Sequence, residues 1–140
     1  MYREMTAGHV GDIAEIFTAY RLMQKGCIVH MSSPRSPHDL IVEYEGVVFK
    51  VQVKGAAKLE KKGGKETKLF PFCLARGKNS ARLYSSNDYD ILACVALPYE
   101  RIIYYPRFKE KARHRISIDE LSEEAEHNSW IETIKKVRGQ

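Results

Sequence analysis

The sequence has little that would suit an exported or membrane-spanning protein. It contains three cysteines, Cys27, Cys73 and Cys94, and no CxxC pair. An odd, scattered set argues against a disulfide framework and against a structural zinc site. No apolar run approaches the roughly 18 residues that span a bilayer. The first twelve residues include acids and have no long apolar segment, unlike a secretory signal. These absences predict an intracellular protein without membrane contact.

Several catalytic fingerprints are missing as well. The chain has no phosphate-binding loop and no dinucleotide-binding glycine motif. Ser32 and Ser33 are not part of a GxSxG turn, and Cys73 has no obvious base beside it. The histidines show no metal-ligand spacing. These observations argue against nucleotide-dependent, serine-hydrolase and cysteine-nucleophile chemistry.

The length and composition fit one folded domain over residues 1–140. At 140 residues and 16.1 kDa, with 44% hydrophobic and 10% aromatic residues, the chain can bury an apolar core. General disorder is therefore excluded.

Positive charge is concentrated in one segment of the chain. Residues 50–82 hold ten basic and two acidic residues, a net charge of +8, whereas the remainder of the chain has a net charge of −3. Such a segment is the electrostatic footprint of a polyanion partner, although a solvated lysine-rich loop is the plain alternative.

Residues 8–25 have the apolar spacing of a helix, which Gly26 ends. One stripe is apolar throughout: Ile13, Ile16, Phe17, Tyr20 and Met23. A second row contains small or apolar residues and a single carboxylate: Gly8, Gly11, Glu15, Ala19 and Leu22. Because small residues let a helix approach a sheet closely, we expect the second row to carry Glu15 toward a sheet.

A short strand and a hairpin are predicted next. Residues 27–29 suggest the strand, and the Pro- and Ser-rich loop 31–38 cannot continue it. The segments DLIVEYE and VVFKVQVK flank Glu45-Gly46, a good hairpin signal. Side chains alternate along a strand, so Lys50, Gln52 and Lys54 share one face, opposite four apolar residues.

The second half of the chain is less regular. The segment KLEKKGGKETK (58–68) predicts a mobile loop, and residues 69–72 a short strand. YDILACVAL (89–97) is typical of a buried central strand, and residues 100–105 are expected to pair with it. Residues 107–115 could be helix or loop. Ser117-x-x-Glu120 resembles a capping box that opens a short helix at 118–126, before another at 129–137. The order predicts a mixed α/β sandwich.

Four residues form the candidate chemical site. Asp39 opens one hairpin strand, and Gln52 and Lys54 close the next, so these three can meet at one end of the sheet. Carboxylate and amide oxygens suit a hard cation such as Mg²⁺, to which Glu15 could add a third oxygen directly or through water. A lysine beside the cation can orient water and stabilise charge on a scissile phosphate. The set predicts metal-assisted phosphodiester hydrolysis.

Each of these residues alone has an ordinary alternative. Asp39 could cap a turn, Gln52 could be a plain strand residue, and Lys54 could be a surface charge. Glu15 is harder to explain away, because a buried carboxylate without a partner is costly. The spacing of the four, beside the basic segment, favours the catalytic interpretation.

At these residues the sequence resembles the PD-(D/E)XK nucleases, which have the restriction-endonuclease fold. The matching segments are Pro37-His38-Asp39 and Val51-Gln52-Val53-Lys54. In the usual pattern the Asp follows the Pro directly, and an acid occupies the position of Gln52. The Asp…Gln-x-Lys version resembles the branch of group I intron homing endonucleases, over about residues 8–106.

The resemblance implies an α/β fold with an αβββαβ core, in which helices flank a mixed central sheet, and a C-terminal helical extension at 107–140. It implies Asp39 and Gln52 as ligands of Mg²⁺, with Mn²⁺ as a substitute and help from the Val53 carbonyl. Lys54 would be the catalytic lysine and Glu15 the helix acid near the metal. The implied substrate is double-stranded DNA in a bacterial or phage-infected cell. Cutting both strands needs at least two subunits, as a dimer or a tetramer.

Two basic runs are expected to contact DNA. The lysines of the 58–68 loop would attract phosphates, and the run from Arg76 suits phosphate and base-edge contacts. The expected contact residues are Lys58, Lys61, Lys62, Lys65, Arg76, Lys78, Asn79 and Arg82.

Site-specific homing cleavage is the main expectation, and three alternatives stay open. A Holliday-junction resolvase or other structure-specific nuclease would prefer branched DNA. A DNA-binding module without catalysis is kept open by Gln52, since an amide has no charge. An RNA-binding protein that uses the basic loop alone would not depend on Asp39.

Overall fold

The computed structural model describes residues 4–74, 88–108 and 111–139. Two helices and nine strands make up this part of the chain, and neither helix is long and apolar enough to cross a bilayer. The elements are α1 (Ala7–Gln24), β1 (Ile28–Met31), β2 (Leu40–Tyr44), β3 (Val47–Ala56), β4 (Lys61–Lys62), β5 (Lys65–Glu66), β6 (Leu69–Cys73), β7 (Ile91–Ala96), β8 (Arg101–Pro106), β9 (Arg113–Ser117) and α2 (Glu123–Val137).

A five-stranded mixed sheet forms the centre of the fold, in the order β1-β2-β3-β7-β8. β3 and β7 run parallel, and the other neighbours are antiparallel. Every residue of β7 is buried, which confirms the central strand predicted from its continuous apolar run. The hairpin predicted at Glu45-Gly46 joins β2 to β3.

The helix α1 packs on one face of the sheet through small side chains. Its buried residues are Ala14, Thr18 and Leu22. Three members of the apolar stripe identified in the sequence face outward instead: Ile16, Tyr20 and Met23. Of the second row, which was expected to face the sheet, Leu22 is buried there, whereas the buried Ala14 and Thr18 belong to neither row.

Gly55 sets how closely α1 approaches β3. A Cβ atom placed on Gly55 would lie 2.8 Å from the Ala14 Cβ and 3.3 Å from the Val10 Cγ1. The expected close approach therefore exists, but it runs through Ala14, because nothing lies within 4 Å of a Cβ added at Gly8 or Gly11. The contact holds the first half of α1 against the end of β3.

A two-stranded antiparallel ribbon of β6 and β9 covers the opposite face of the sheet. Phe70 and Phe72 from β6 and Ile116 from β9 pack there with Leu92 and Cys94 of β7. The prediction of helix or loop over 107–115 is therefore wrong for Arg113–Arg115, which belong to β9. The strand forms because it pairs with β6, about 40 residues earlier in the chain.

The lysine-rich segment is ordered as a hairpin, contrary to the mobile loop expected from its sequence. β4 and β5 pair across Gly63-Gly64, whose φ angles of +61° and +80° suit a tight two-residue hairpin turn. An ion pair from Glu60 to Arg115 (2.9 Å) joins the segment to β9. In the described chain β3 is followed by β4, β5 and β6, and residues 75–87 lie outside it.

The C-terminal region holds one long helix where two short ones were expected. The capping box of Ser117 and Glu120 is present, but it opens a 3-10 turn at Ile118–Glu120. The helix α2 then runs unbroken across the expected gap. Its Glu126 carboxylate accepts from the Ile102 N–H at 2.9 Å, and its Ser129 hydroxyl accepts from the Tyr104 N–H at 3.0 Å. These bonds satisfy the outer edge of β8.

We expect Gly55→Ala to destabilise the protein by about 1–3 kcal/mol, because the added methyl group collides with Ala14 in a rigid helix–strand contact. The measurement is urea unfolding followed by circular dichroism. Gly11→Ala is the matched control, since the space above Gly11 is open and alanine favours a helix. Equal stability of both variants would show that the α1–β3 contact is loose.

Candidate active site

Asp39 closes a gap in the sheet where β2 begins. The pairing of β2 with β3 starts with Leu40 opposite Val51, so β3 extends beyond its partner. The Asp39 carboxylate accepts a hydrogen bond from the Val53 N–H at 2.8 Å, and the Asp39 N–H donates to the Val51 carbonyl at 2.9 Å. The carboxylate is thereby fixed beside the backbone that carries Gln52.

The polar face of β3 is oriented as the alternation predicted. The strand pairing places Gln52 opposite Leu92 and Lys54 opposite Cys94 of β7. Gln52 is buried, with 6% of its surface exposed, and Lys54 is half-buried. A polar amide buried this deeply in a strand is uncommon, because buried polar groups need hydrogen-bonding or metal partners.

Glu15 faces the same end of the sheet from α1. Its burial, with the negative charges of Asp39 and Asp12, raises the pKa of its carboxyl group to about 7. Burial also raises the pKa of Asp39, although the hydrogen bond from Val53 and the charges of Lys54 and His38 oppose this shift. The two carboxyl groups are therefore close enough to repel each other when both are ionised.

The structure thus brings together the four residues singled out in the sequence. Glu15 comes from α1, Asp39 from the residue before β2, and Gln52 and Lys54 from the polar face of β3. Asp39 is bonded to the Val53 N–H, between Gln52 and Lys54, and Glu15 lies next to Ala14, which packs on Gly55 of the same strand. Their catalytic roles stay predictions.

The donors at this site fit a hard divalent cation. The site offers two carboxylates, the Gln52 side-chain oxygen and the Val53 carbonyl, which are all oxygen ligands of the kind that Mg²⁺ prefers. Over residues 4–74, 88–108 and 111–139, no three His, Cys, Asp or Glu side chains form a metal-binding group. A cation would therefore need the neutral amide and carbonyl oxygens in addition to the carboxylates.

Half of the expected DNA-contacting residues can be placed. Lys58 follows the end of β3, and Lys61, Lys62 and Lys65 are exposed on the β4–β5 hairpin. The other four expected residues lie outside the described part of the chain: Arg76, Lys78, Asn79 and Arg82.

Asp90 is a positioning residue that the sequence analysis did not identify. Its carboxylate accepts from the Lys50 N–H at 2.8 Å, and its N–H donates to the Lys50 carbonyl at 2.9 Å. Asp39 also uses its carboxylate and its N–H to bond to β3 from the other side, but to two residues, Val53 and Val51. The signal was present, because each of these aspartates directly precedes an apolar run that forms a strand.

A hydrogen-bonded chain of three side chains was also missed. The Lys111 Nζ and His114 Nδ1 atoms are 2.9 Å apart, and the His114 Nε2 and Tyr105 hydroxyl atoms are also 2.9 Å apart. Because lysine can only donate, Nδ1 is the acceptor and Nε2–H donates to Tyr105. Tyr105 pairs with Leu92, the partner of Gln52, so these side chains lie on the face of the sheet that carries Gln52. No local sequence signal predicts it, since it depends on the β6–β9 ribbon.

Comparisons with known proteins agree with this geometry. No curated protein matches the chain. Three solved chains match, and one of them is a bacterial homing endonuclease, I-Ssp6803I. It is 22% identical to this chain, the match covers 97% of this chain and 98% of that one, and the TM-score is 0.73. The likeness confirms the expected restriction-endonuclease-like fold, with its central mixed sheet.

The family model described as PD-(D/E)XK endonuclease matches residues 5–138, which is almost the whole sequence. The matched range includes the hairpin with Asp39, Gln52 and Lys54, and the helix with Glu15. The chain therefore belongs to the PD-(D/E)XK endonuclease family.

Proposed function

We propose that the protein is a Mg²⁺-dependent, site-specific endonuclease of homing type that hydrolyses phosphodiester bonds in double-stranded DNA. The observation that carries the proposal is the site at the end of β3. There, the Asp39 carboxylate accepts a hydrogen bond from the Val53 N–H, between Gln52 and Lys54 of the same strand. The likeness to a homing endonuclease over the whole chain supports the homing type.

The cation would be held by Asp39, the Gln52 side-chain oxygen and the Val53 carbonyl, with Glu15 as a further ligand. When bound, Mg²⁺ (or Mn²⁺ in its place) supplies a Lewis acid that polarises the phosphate and lowers the pKa of bound water. The raised pKa values of Glu15 and Asp39 support this assignment, because two crowded carboxyl groups call for added positive charge.

Lys54 would act on the phosphate itself. Its ammonium group is a compact point charge with three donors, suited to a phosphate oxygen that gains negative charge during hydrolysis. Its backbone is part of the β3–β7 pairing, and this pairing limits the movement of the backbone. Lys54 would thus stabilise the transition state more than the bound substrate.

Glu15 would exchange a proton with the attacking water or bind that water in place. A carboxyl group with a pKa of about 7 can both accept and release a proton near neutral pH. Glu15 lies on α1, whereas Gln52 and Val53, the proposed metal ligands on β3, lie on a different element.

The assembly would contain at least two copies, since one active site cuts one strand. We propose a dimer or tetramer that acts on DNA inside the cell. Arg76, Lys78, Asn79 and Arg82 stay proposed contacts with DNA.

A second candidate is a DNA-binding module that has lost catalysis. The neutral Gln52, where most family members have an acid, and the small number of acidic groups at the site favour it. DNA binding without Mg²⁺-dependent cleavage of any linear, supercoiled or branched substrate would identify this module. Faster cleavage of four-way junctions than of linear duplex would identify a resolvase instead.

We expect Lys54→Ala to lower the cleavage rate about 100-fold or more, because a charge that stabilises the transition state is lost. The assay follows nicking and linearisation of plasmid DNA with and without Mg²⁺, and binding is measured in parallel. Asp39→Ala should also be inactive, whereas Lys136→Ala, an exposed lysine on α2, should cleave normally. A large loss of DNA affinity in Lys54→Ala would assign this residue to phosphate binding.

Neutralising the lysine-rich hairpin should weaken binding to all DNA sequences alike. Each phosphate contact contributes about 0.9 to the slope of log K against log salt. Changing Lys58, Lys61, Lys62 and Lys65 together to Gln should therefore lower that slope by up to about 3–4. The double variant of Lys135 and Lys136 on α2 is the control. An unchanged slope in the quadruple variant would show that the hairpin does not contact DNA.

The pKa of Glu15 makes the stability of the metal-free protein depend on pH. The folded state holds the Glu15 proton up to about pH 7, whereas the unfolded chain releases it near 4.5. The free energy of unfolding should therefore fall between these pH values, relative to Glu15→Gln. At saturation 100-fold above Kd, Mg²⁺ should restore about 2.7 kcal/mol.

Thermal unfolding across pH, with and without Mg²⁺, tests this expectation. Asp39→Asn should reduce the Mg²⁺ effect, because it removes a ligand charge. Parallel pH profiles of wild type and Glu15→Gln would contradict the raised pKa, and an equal Mg²⁺ effect in Asp39→Asn would place the cation elsewhere.

A further inference from the structure

A groove runs beside the candidate active site, between the start of α1 and the ends of β3 and β6. Its volume is about 560 Å³. Its lining includes Gly11, Lys54, Ala57, Lys58, Pro71 and Cys73. Of the four candidate catalytic residues, only Lys54 lines the groove. Most of the groove therefore lies outside the candidate active site.

The floor of the groove is made by small residues. Gly55, Ala56 and Ala57 form its base, and Gly11 forms part of the wall given by α1. Nothing lies within 4 Å of a Cβ added at Gly11, so the space in front of this helix turn is open. Any larger side chain at position 11 would project into that space.

The charged residues that line the groove are both positive. The groove contains Lys54 and Lys58 and no acidic residue. Three other grooves on the described surface each include a glutamate: Glu60, Glu66, or Glu123 with Glu126. Of these four grooves on the described surface, this one has the charge that best complements a polyanion.

The groove is also continuous with the place where the phosphate would react. Lys54 and Val53 belong to both the groove and the candidate active site. An anionic chain whose phosphate contacts Lys54 would lie in the same groove that Lys58 lines. An extended polymer with regularly spaced phosphates fits this arrangement better than a small isolated anion.

We infer that this groove holds the sugar–phosphate backbone of the cleaved DNA strand next to the scissile phosphate, and that the open space at Gly11 is needed to admit it. The inference rests on the proposed function and adds the path of the strand. Gly11 is a positioning residue in this account, since it acts by leaving room.

Cys73 provides a direct probe of the groove. It is exposed in the groove wall, whereas Cys27 and Cys94 are buried in the core. A thiol-reactive maleimide should therefore label Cys73 first. With divalent cations removed by EDTA and at low salt, a short DNA duplex of mixed sequence should slow this labelling. Cys73→Ser should abolish the fast labelling and thereby confirm the site.

Gly11→Leu tests whether the strand needs the open space. The variant should bind the same duplex about tenfold more weakly, the loss that follows when one charge-assisted contact is prevented. Its thermal stability should equal or exceed that of wild type, because leucine favours a helix more than glycine does. Asn128→Leu, an exposed bulky substitution on α2, should bind like wild type.

The outcomes separate this inference from the proposed function. Slower labelling of Cys73 with weaker binding by a stable Gly11→Leu supports the groove. Normal binding and Mg²⁺-dependent cleavage by Gly11→Leu, with Cys73 labelled equally fast in the presence of DNA, would overturn the inference and leave the endonuclease intact. Wild-type protein that neither binds nor cuts DNA would overturn both. Protection of Cys73 by duplex RNA but not DNA would also overturn the inference.

Discussion

The hydrogen bond from the Val53 N–H to the Asp39 carboxylate (2.8 Å) joins the strand that carries Gln52 and Lys54 to the residue that precedes β2. The backbone pairing of β2 with β3 ends at Leu40 and Val51. The Asp39 carboxylate therefore takes the place of a backbone carbonyl as the acceptor for the Val53 N–H. Asp90 bonds to Lys50 in the same way from the β7 side. The two aspartates thus add side-chain hydrogen bonds to the backbone pairing that holds β3 between β2 and β7.

The same arrangement creates an electrostatic cost. The close contact between Ala14 and Gly55 brings α1 down onto β3, and with it Glu15 toward Asp39. Burial then raises the pKa of both carboxyl groups, and the charges of Asp39 and Asp12 raise that of Glu15 further. Gln52 adds an oxygen ligand without adding a third negative charge. A site of this kind is less strained when a cation is present, which connects the packing of the fold to the proposed dependence on Mg²⁺.

The remaining elements of the described chain support the central sheet and do not cover the end of β3. α2 satisfies the outer edge of β8 through Glu126 and Ser129, and the β6–β9 ribbon covers the sheet face that carries Gln52. Both leave the end of β3 accessible, where the groove with Lys54 and Lys58 begins. The positive segment identified in the sequence is therefore adjacent to the proposed chemistry, and much of it is exposed on the short β4–β5 hairpin.

Local signals in the sequence were enough to predict four features: the helix α1, the β2–β3 hairpin, the buried strand β7 and the face on which Gln52 and Lys54 lie. Periodicity, turn residues and apolar runs act between near neighbours, so they can be read without a partner. The Gly63-Gly64 turn is also a local signal, but the charged residues around it led to the prediction of a mobile loop. Tertiary contacts were needed to establish that Ala14 and Thr18 are buried on α1, that residues 113–117 form a strand, that Asp90 bonds to Lys50, and that His114 bonds to Tyr105. Each of these depends on contacts between residues far apart in the chain, and the energy of burial and pairing overrides local preference there.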